Sequence, residues 1–182
     1  MYSEEEMEKK MDITETQNTL KQILDEKRFA HTLAVCEAAV ILADRFGADK
    51  EKAYLAALLH DCARCLDGEQ QVAYCNENNI ELDDFMKKDI NPVHALVGAD
   101  MAKQRFGVED KEILDAIYRH AIGCENMTLL DKIIFIADHI EPSRSGNDAN
   151  EARNAAETDL DRALIPVMRM KAYYLRWKAN AS

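Results

Sequence analysis

From Ile13 onward, apolar residues recur at the spacing of one helical face. Ile13, Leu20, Ile23 and Leu24 open the pattern. Leu33, Val35, Ala38, Ile41 and Leu42 continue it through a helix over 28–46, close to a 3.6-residue period. Gly47 is placed to stop that helix and Asp49 to cap the next. Tyr54 to Leu59 is apolar nearly all round, which predicts a central helix. Gly68 reads as its end, or as the end of a short extension. A polar helix over 69–78 closes at the Asn78-Asn79 turn signal. Leu82 to Lys88 reads as one short helix. Pro92 suits the first turn of a helix running to Phe106, and helices over 110–120 and 129–140 follow. The last of these is apolar enough to pass for a buried strand, and its helical neighbours decide for helix. Residues 141–150 read as the clearest loop. A final helix carries Leu160, Leu164, Val167 and Leu175 on one stripe, with Pro166 expected to kink or break it. Residues 1–12 read as a charged N-terminal extension and 13–182 as a single domain.

Composition sharpens this to an all-α fold. Six glycines and three prolines in 182 residues are far below the roughly 12% of average usage. The net charge of −11 argues against a nucleic-acid binder, because a polyanion must be met by a basic face. It leaves room for a small phosphorylated ligand met locally by a metal and a few arginines. Without a run of about 18 apolar residues or the apolar middle of a secretory signal, the expectation is a cytoplasmic protein that uses no membrane. The five cysteines, an odd number, are then expected as thiols. Cys62-x-x-Cys65 has no second pair to make a zinc site. The aromatic cluster Tyr173-Tyr174-Leu175-Arg176-Trp177 reads as packing.

The candidate chemistry lies in His31, His60, Asp61, His94, His120 and Asp138. A lone histidine on an apolar face is usually a hydrogen-bonded core residue. Asp138 follows Ile133-Ile134-Phe135-Ile136-Ala137, where an ionised carboxylate costs several kcal/mol, on the order of a lost ion pair, unless paired or bound to metal. The same holds for Asp61 after Leu58-Leu59. Four imidazoles and two carboxylates on separate apolar helices suit a borderline divalent ion such as iron, manganese, cobalt or zinc.

The order His31, His60-Asp61, Asp138, with His94 and His120 between, resembles the two-metal subgroup of HD-domain metallophosphohydrolases. The segments Arg28-Phe29-Ala30-His31-Thr32, Ala57-Leu58-Leu59-His60-Asp61-Cys62-Ala63-Arg64, His94-Ala95-Leu96-Val97-Gly98-Ala99 and Leu130 to Arg144 are similar to the YqeK family. That family is a group of bacterial symmetrical diadenosine tetraphosphate hydrolases. The resemblance spans about residues 14–180 and implies an HD-domain helical bundle with a metal site at its centre. It implies one ion on His31, His60, Asp61 and Asp138, and a second on His94 and His120, with Asp61 bridging. The ions favoured are iron, with manganese, cobalt or zinc as alternatives. The catalytic set would be Asp61, His94 and His120. Metal-activated hydroxide would attack an inner phosphate and release two ADP. Arg28, Arg64, Lys132 and Arg144 are the candidates for phosphate contacts; Arg64, four residues after His60, is expected on the same helical face. Asp131 is expected to be structural. His139 departs from the family pattern, standing where an aromatic is expected. The nucleotide would be the partner, with room for a homodimer. Two other readings keep part of this: the same cage acting on a nucleoside monophosphate, a guanosine polyphosphate or a cyclic nucleotide, or a non-catalytic nucleotide or metal sensor.

Overall fold

The computed structural model describes residues 12–181, with side chains over 12–171. The stretch 1–11 and the side chains of Tyr173, Tyr174 and Trp177 lie outside the described residues. Every regular element within them is helical. The α-helices are α1 (Ile13–Ile23), α2 (Glu26–Phe46), α3 (Lys50–Leu59), α4 (Gly68–Glu77), α5 (Val93–Gln104), α6 (Lys111–Arg119), α7 (Leu129–Ile140), α8 (Asn147–Ala155) and α9 (Leu160–Ala181), with a 3-10 turn at Cys62–Cys65. No helix among the described residues is long and apolar enough to cross a membrane.

Local sequence dictates most helix starts. The carboxylates of Asp12, Asp25, Asp49, Asp67 and Asp110 accept backbone N–H bonds at the starts of α1, α2, α3, α4 and α6. Thr128 does the same for α7 in a capping box with Asp131. Each such cap is worth about 1 kcal/mol. Asp12 is therefore the cap of α1 rather than part of the preceding extension. Gly47, at φ 73°, ends α2 as its spacing suggested.

α7 is the hub. It packs on α2, α3, α6, α8 and α9, and Leu130, Ile133, Ile134, Phe135, Ile136 and Ala137 are all buried. Leu42, Leu58, Leu59 and Ile117 face it from the neighbouring helices in the same core. On the other side of the site, α5 lies against α6, α4 and the 3-10 turn. At Gly98 the backbone of α5 comes close to the doublet: a Cβ there would be in van der Waals contact with the His60 carbonyl at 3.5 Å and Cys62 Sγ at 3.8 Å.

Three local expectations are corrected, and a fourth is narrowed. Gly68 begins α4 instead of ending α3, because Asp67 and Gln70 form a capping box around it. Residues 82–88 form turns, not a helix: Asp83 bonds the Met86 N–H, and Met86 is buried while Phe85 stays 46% exposed, so no continuous apolar face forms. Residues 147–150 belong to α8, whose short polar residues hide a helix anchored by buried Ala149 and Ala152. Of the kink or break expected at Pro166, the break does not occur: α9 runs through it, with Ala163 and Val167 buried beside it.

Candidate metal centre

Six polar side chains from five parts of the chain meet beside α7. His31 comes from α2, His60 caps α3, Asp61 precedes the 3-10 turn, His94 lies in the first turn of α5, His120 caps α6, and Asp138 lies in the last turn of α7. His60 and Asp61 were expected on one continuous helix. The chain instead leaves α3 at this doublet, and Asp61 takes φ −110°, ψ 17°. That break, not helical rotation, separates the directions of the two side chains.

Asp61 occupies the middle. Its Oδ2 is 3.5 Å from His60 Nε2 and 3.9 Å from His31 Nε2. Its Oδ1 is 3.4 Å from His94 Nε2 and 3.6 Å from His120 Nε2. Asp138 Oδ1 lies 3.1 Å from His31 Nε2, and His94 and His120 face each other Nε2 to Nε2 at 3.0 Å. Two groups, His31 with His60 and Asp138, and His60 with Asp61 and His120, have donor atoms within 4.8 Å of one another.

The imidazoles share one manner of anchoring. His60 Nδ1 lies 2.6 Å from the Ala57 carbonyl, His94 Nδ1 2.5 Å from that of Asn91, and His120 Nδ1 2.6 Å from that of Ile117. Each acceptor is three residues earlier, and two of them are carbonyls at helix ends. His31 Nδ1 instead meets Glu141 Oε1 at 3.1 Å. With every Nδ1 donating its proton outward, every Nε2 presents a lone pair to the centre. His31 Nε2 and His60 Nε2 are buried with no hydrogen-bond partner among the described residues. Inward lone pairs facing two carboxylates form a donor set that suits a divalent cation.

Electrostatics agree. Burial lowers the imidazole of His94 well below its ordinary value, aided by His120 and Arg64, and burial also lowers His120. Both rings are therefore neutral near pH 7. Burial acts the same way on His60, but Asp61, Asp138 and the Ala57 carbonyl together outweigh it and the net direction is up. Burial raises Asp61 and Asp138, yet the surrounding imidazoles, with Arg144 at Asp138, hold both well below the usual carboxylate range.

The cationic candidates separate. Arg28 Nη1 donates to Asp61 Oδ2 at 2.6 Å, and Arg144 Nη2 donates to Asp138 Oδ1 at 2.6 Å. Arg64 lies in the 3-10 turn rather than on α3; its Nε is 3.6 Å from Asp61 Oδ1 and its fork is 3.5 Å from Asn91 Oδ1. All three line the cavity of about 320 Å³ that opens onto Asp61, His94 and Asp138. Lys132 is not among its lining residues and pairs with Asp161 at 2.5 Å. Asp131 bonds Arg119 and the Thr128 N–H. Cys62 stays a buried thiol, pushed up by burial and bonded to the Gly98 carbonyl.

Sequence reading missed three lining or supporting residues. Glu141 is buried, and Ser143 donates to it from both N–H and Oγ; its position three after Asp138 was the available signal. Asn91 braces both His94 and Arg64. Lys171, from α9, reaches the cavity over the Phe135 ring at 4.7 Å, its ammonium on the Ala121 carbonyl. Burial pushes that amine down to about 8. Nothing in the local sequence of α9 announces it. His139 also lines the cavity, stacked on Phe135 with Nδ1 on the Phe135 carbonyl, and burial lowers it to about 4.

Comparison with known proteins gives the same picture. The HD domain profile matches residues 28–143. The symmetrical bis(5'-nucleosyl)-tetraphosphatase of Bacillus subtilis is 40% identical, covering 87% of this chain and 85% of that protein. The protein of the same name from Staphylococcus aureus is 30% identical, covering 91% and 86%. A crystal structure from Clostridium acetobutylicum, described as a predicted HD superfamily hydrolase involved in NAD metabolism, matches with TM-score 0.87 at 38% identity. It covers 92% of this chain and 89% of that one.

Proposed function

The chain belongs to the HD-domain family of symmetrical bis(5'-nucleosyl)-tetraphosphatases, and from that premise we propose that it hydrolyses diadenosine tetraphosphate to two ADP at the Asp61 centre. The observation that carries this is the single carboxylate of Asp61 set between two imidazole pairs, His31 with His60 and His94 with His120. In this reading His31, His60, Asp61 and Asp138 hold one divalent cation, and His94, His120 and Asp61 a second. Nitrogen and oxygen donors without thiolate suit ferrous iron, with manganese, cobalt and zinc as competitors. Such cations, when bound, bring a water to reactive pKa at neutral pH and offset the phosphate charge.

The chain's own groups supply the rest. The outward Nδ1 bonds fix the ring planes, so the lone pairs stay aimed without reorganisation. Asp61, His94 and His120 form the wall nearest the reacting phosphate. Arg28, Arg64 and Arg144 present guanidinium forks to the phosphate chain, and Lys171 adds a fourth positive group. Together they reverse, locally, the field of a protein with net charge −11. Water adds to one inner phosphorus, the oxygen bridging the two inner phosphates leaves with the other half, and each half departs as ADP. Glu141 holds the His31 ring. Glu141→Gln is expected to lower cation affinity about 10- to 100-fold, read by titrating metal into stripped protein; unchanged affinity would remove Glu141 from the site.

Cation retention should depend on acid. Ligand imidazoles must be neutral, and the neighbours of His60 push its ring upward, toward the protonated form. Bound metal is expected to drop below about pH 6, measured as metal per chain after gel filtration. Full occupancy at pH 5 would contradict the histidine cage.

The decisive test is product analysis. Protein purified without chelator or oxygen is incubated with diadenosine tetraphosphate and ferrous, manganous or cobaltous ion, and nucleotides are resolved chromatographically. ADP alone, lost in His60→Ala, is the expected result. AMP with ATP would overturn the symmetrical reading.

A further inference from the structure

A second cavity, of about 490 Å³, lies on the opposite side of Arg28 and Arg144 from the first. The two arginines are the residues shared by both linings. Asp61, His94, His120 and Asp138 face the first cavity, whereas His31 faces the second. Five of the six cluster residues are thus divided between two chambers that meet at Arg28 and Arg144. The second chamber has apolar walls in Ala30, Ala34 and Pro142, and Lys27 stands exposed at its rim. Its two carboxylates are already engaged: Asp25 accepts from the Arg28 N–H, and Glu141 from His31 and Ser143. Through Ala34 and Pro142 it continues into a third hollow of about 420 Å³ along α2, floored by Ala38, Leu42 and the 56%-exposed Ile41.

We infer that the second chamber is the subsite for the other nucleoside half of a dinucleoside polyphosphate, with its base against Ala34 and Pro142 and its phosphates crossing between Arg28 and Arg144. This rests on the substrate reading above. A chamber on each side of the reacting centre explains cleavage at the middle of the chain of phosphates. With one nucleoside held in each, the centre meets the inner phosphates, and the phosphate count from either base is the same. One chamber alone would fix the count from one end only. The apolar wall suits a purine face, and a mononucleotide would leave that wall to water.

The experiment compares the metal-loaded wild-type chain with Ala34→Trp, which fills the second chamber from a half-buried position, and with Lys27→Glu, an exposed change at its rim that leaves packing untouched. Equilibrium dialysis with ADP, metal content and steady-state kinetics with diadenosine tetraphosphate are measured on each. Wild type is expected to bind two ADP per chain and Ala34→Trp one, with unchanged metal content. KM is expected to rise at least about tenfold in Ala34→Trp and several-fold in Lys27→Glu. One ADP per wild-type chain, or KM within twofold of wild type in both variants, would overturn the subsite. Two ADP bound by a wild-type chain that releases no ADP from the dinucleotide would support the subsite and overturn the substrate reading instead.

Discussion

Asp61→Asn is expected to cut turnover of diadenosine tetraphosphate by about 1,000-fold or more, equivalent to about 4 kcal/mol of transition-state stabilisation. The substitution keeps shape and volume. It replaces one of two equivalent oxygens with an NH2 that donates. Oδ1 faces His94 and His120, and Oδ2 faces His31 and His60, so whichever way the amide turns, one imidazole pair meets a donor where it met an anion. The asparagine brings no charge to offset a cation, and its NH2 side has no lone pair to share. Metal per chain should therefore fall together with activity. The fold should persist, because the amide still accepts from Arg28 and donates to an imidazole. Turnover above about one tenth of wild type with full metal content would show that Asp61 does not join the two halves of the site.

Phe135→Ala should produce the largest loss of stability from one side chain, about 3–5 kcal/mol, or roughly 6–20 °C in melting temperature for a chain of this length. Phe135 is fully buried, with Ala152 of α8 and Val167 of α9 in its cluster. Its ring edge would lie 3.5 Å from a Cβ at Gly123, so the chain of that turn packs directly against the ring. The ring also carries His139 on one side at 5.5 Å and the Lys171 ammonium at 4.7 Å. Phe135→Leu separates the two roles, restoring most of the volume without a π-face. Melting temperature should largely recover in that variant, while KM stays raised because Lys171 has lost its platform. If Phe135→Leu recovered both, the ring would matter only as filler.

The sequence made the helices and the meeting of the six polar residues legible for the same reason. In a chain this apolar around Leu58-Leu59 and Ile133 to Ala137, a histidine or carboxylate has few places to be, so Asp61 and Asp138 stood out by cost. The start of α3 was readable because the Asp49 cap acts on the first turn beside it. What escaped depended on distant partners. α8 forms from Asn147, Asp148 and Asn150 only because Ala149 and Ala152 are covered by other helices. Lys171 reaches the site only because α9 lies across Phe135. Lys132, adjacent in sequence to the cluster's helix start, turns to Asp161 instead. Arg144 was read as part of a flexible loop, yet Arg153 bonds the carbonyls of Ile140, Glu141 and Arg144 and holds that loop in place. The break after His60 was hidden because an α-helix and a 3-10 turn share the same local residues.

His31 and Asp138, 3.1 Å apart, come from opposite ends of this arrangement in chain order. During synthesis the ribosome delivers His31, then the His60-Asp61 doublet, then His94 and His120, long before α7 can supply Asp138 and the hydrophobic hub beneath it. A nascent chain thus carries imidazoles with no assembled grip, and thiols at Cys36, Cys62 and Cys75 that are still open to soft ions. Folding hides those thiols in the core and brings the scattered donors together. The six donors therefore become one constellation only in the finished fold, whatever order the chain supplies them in.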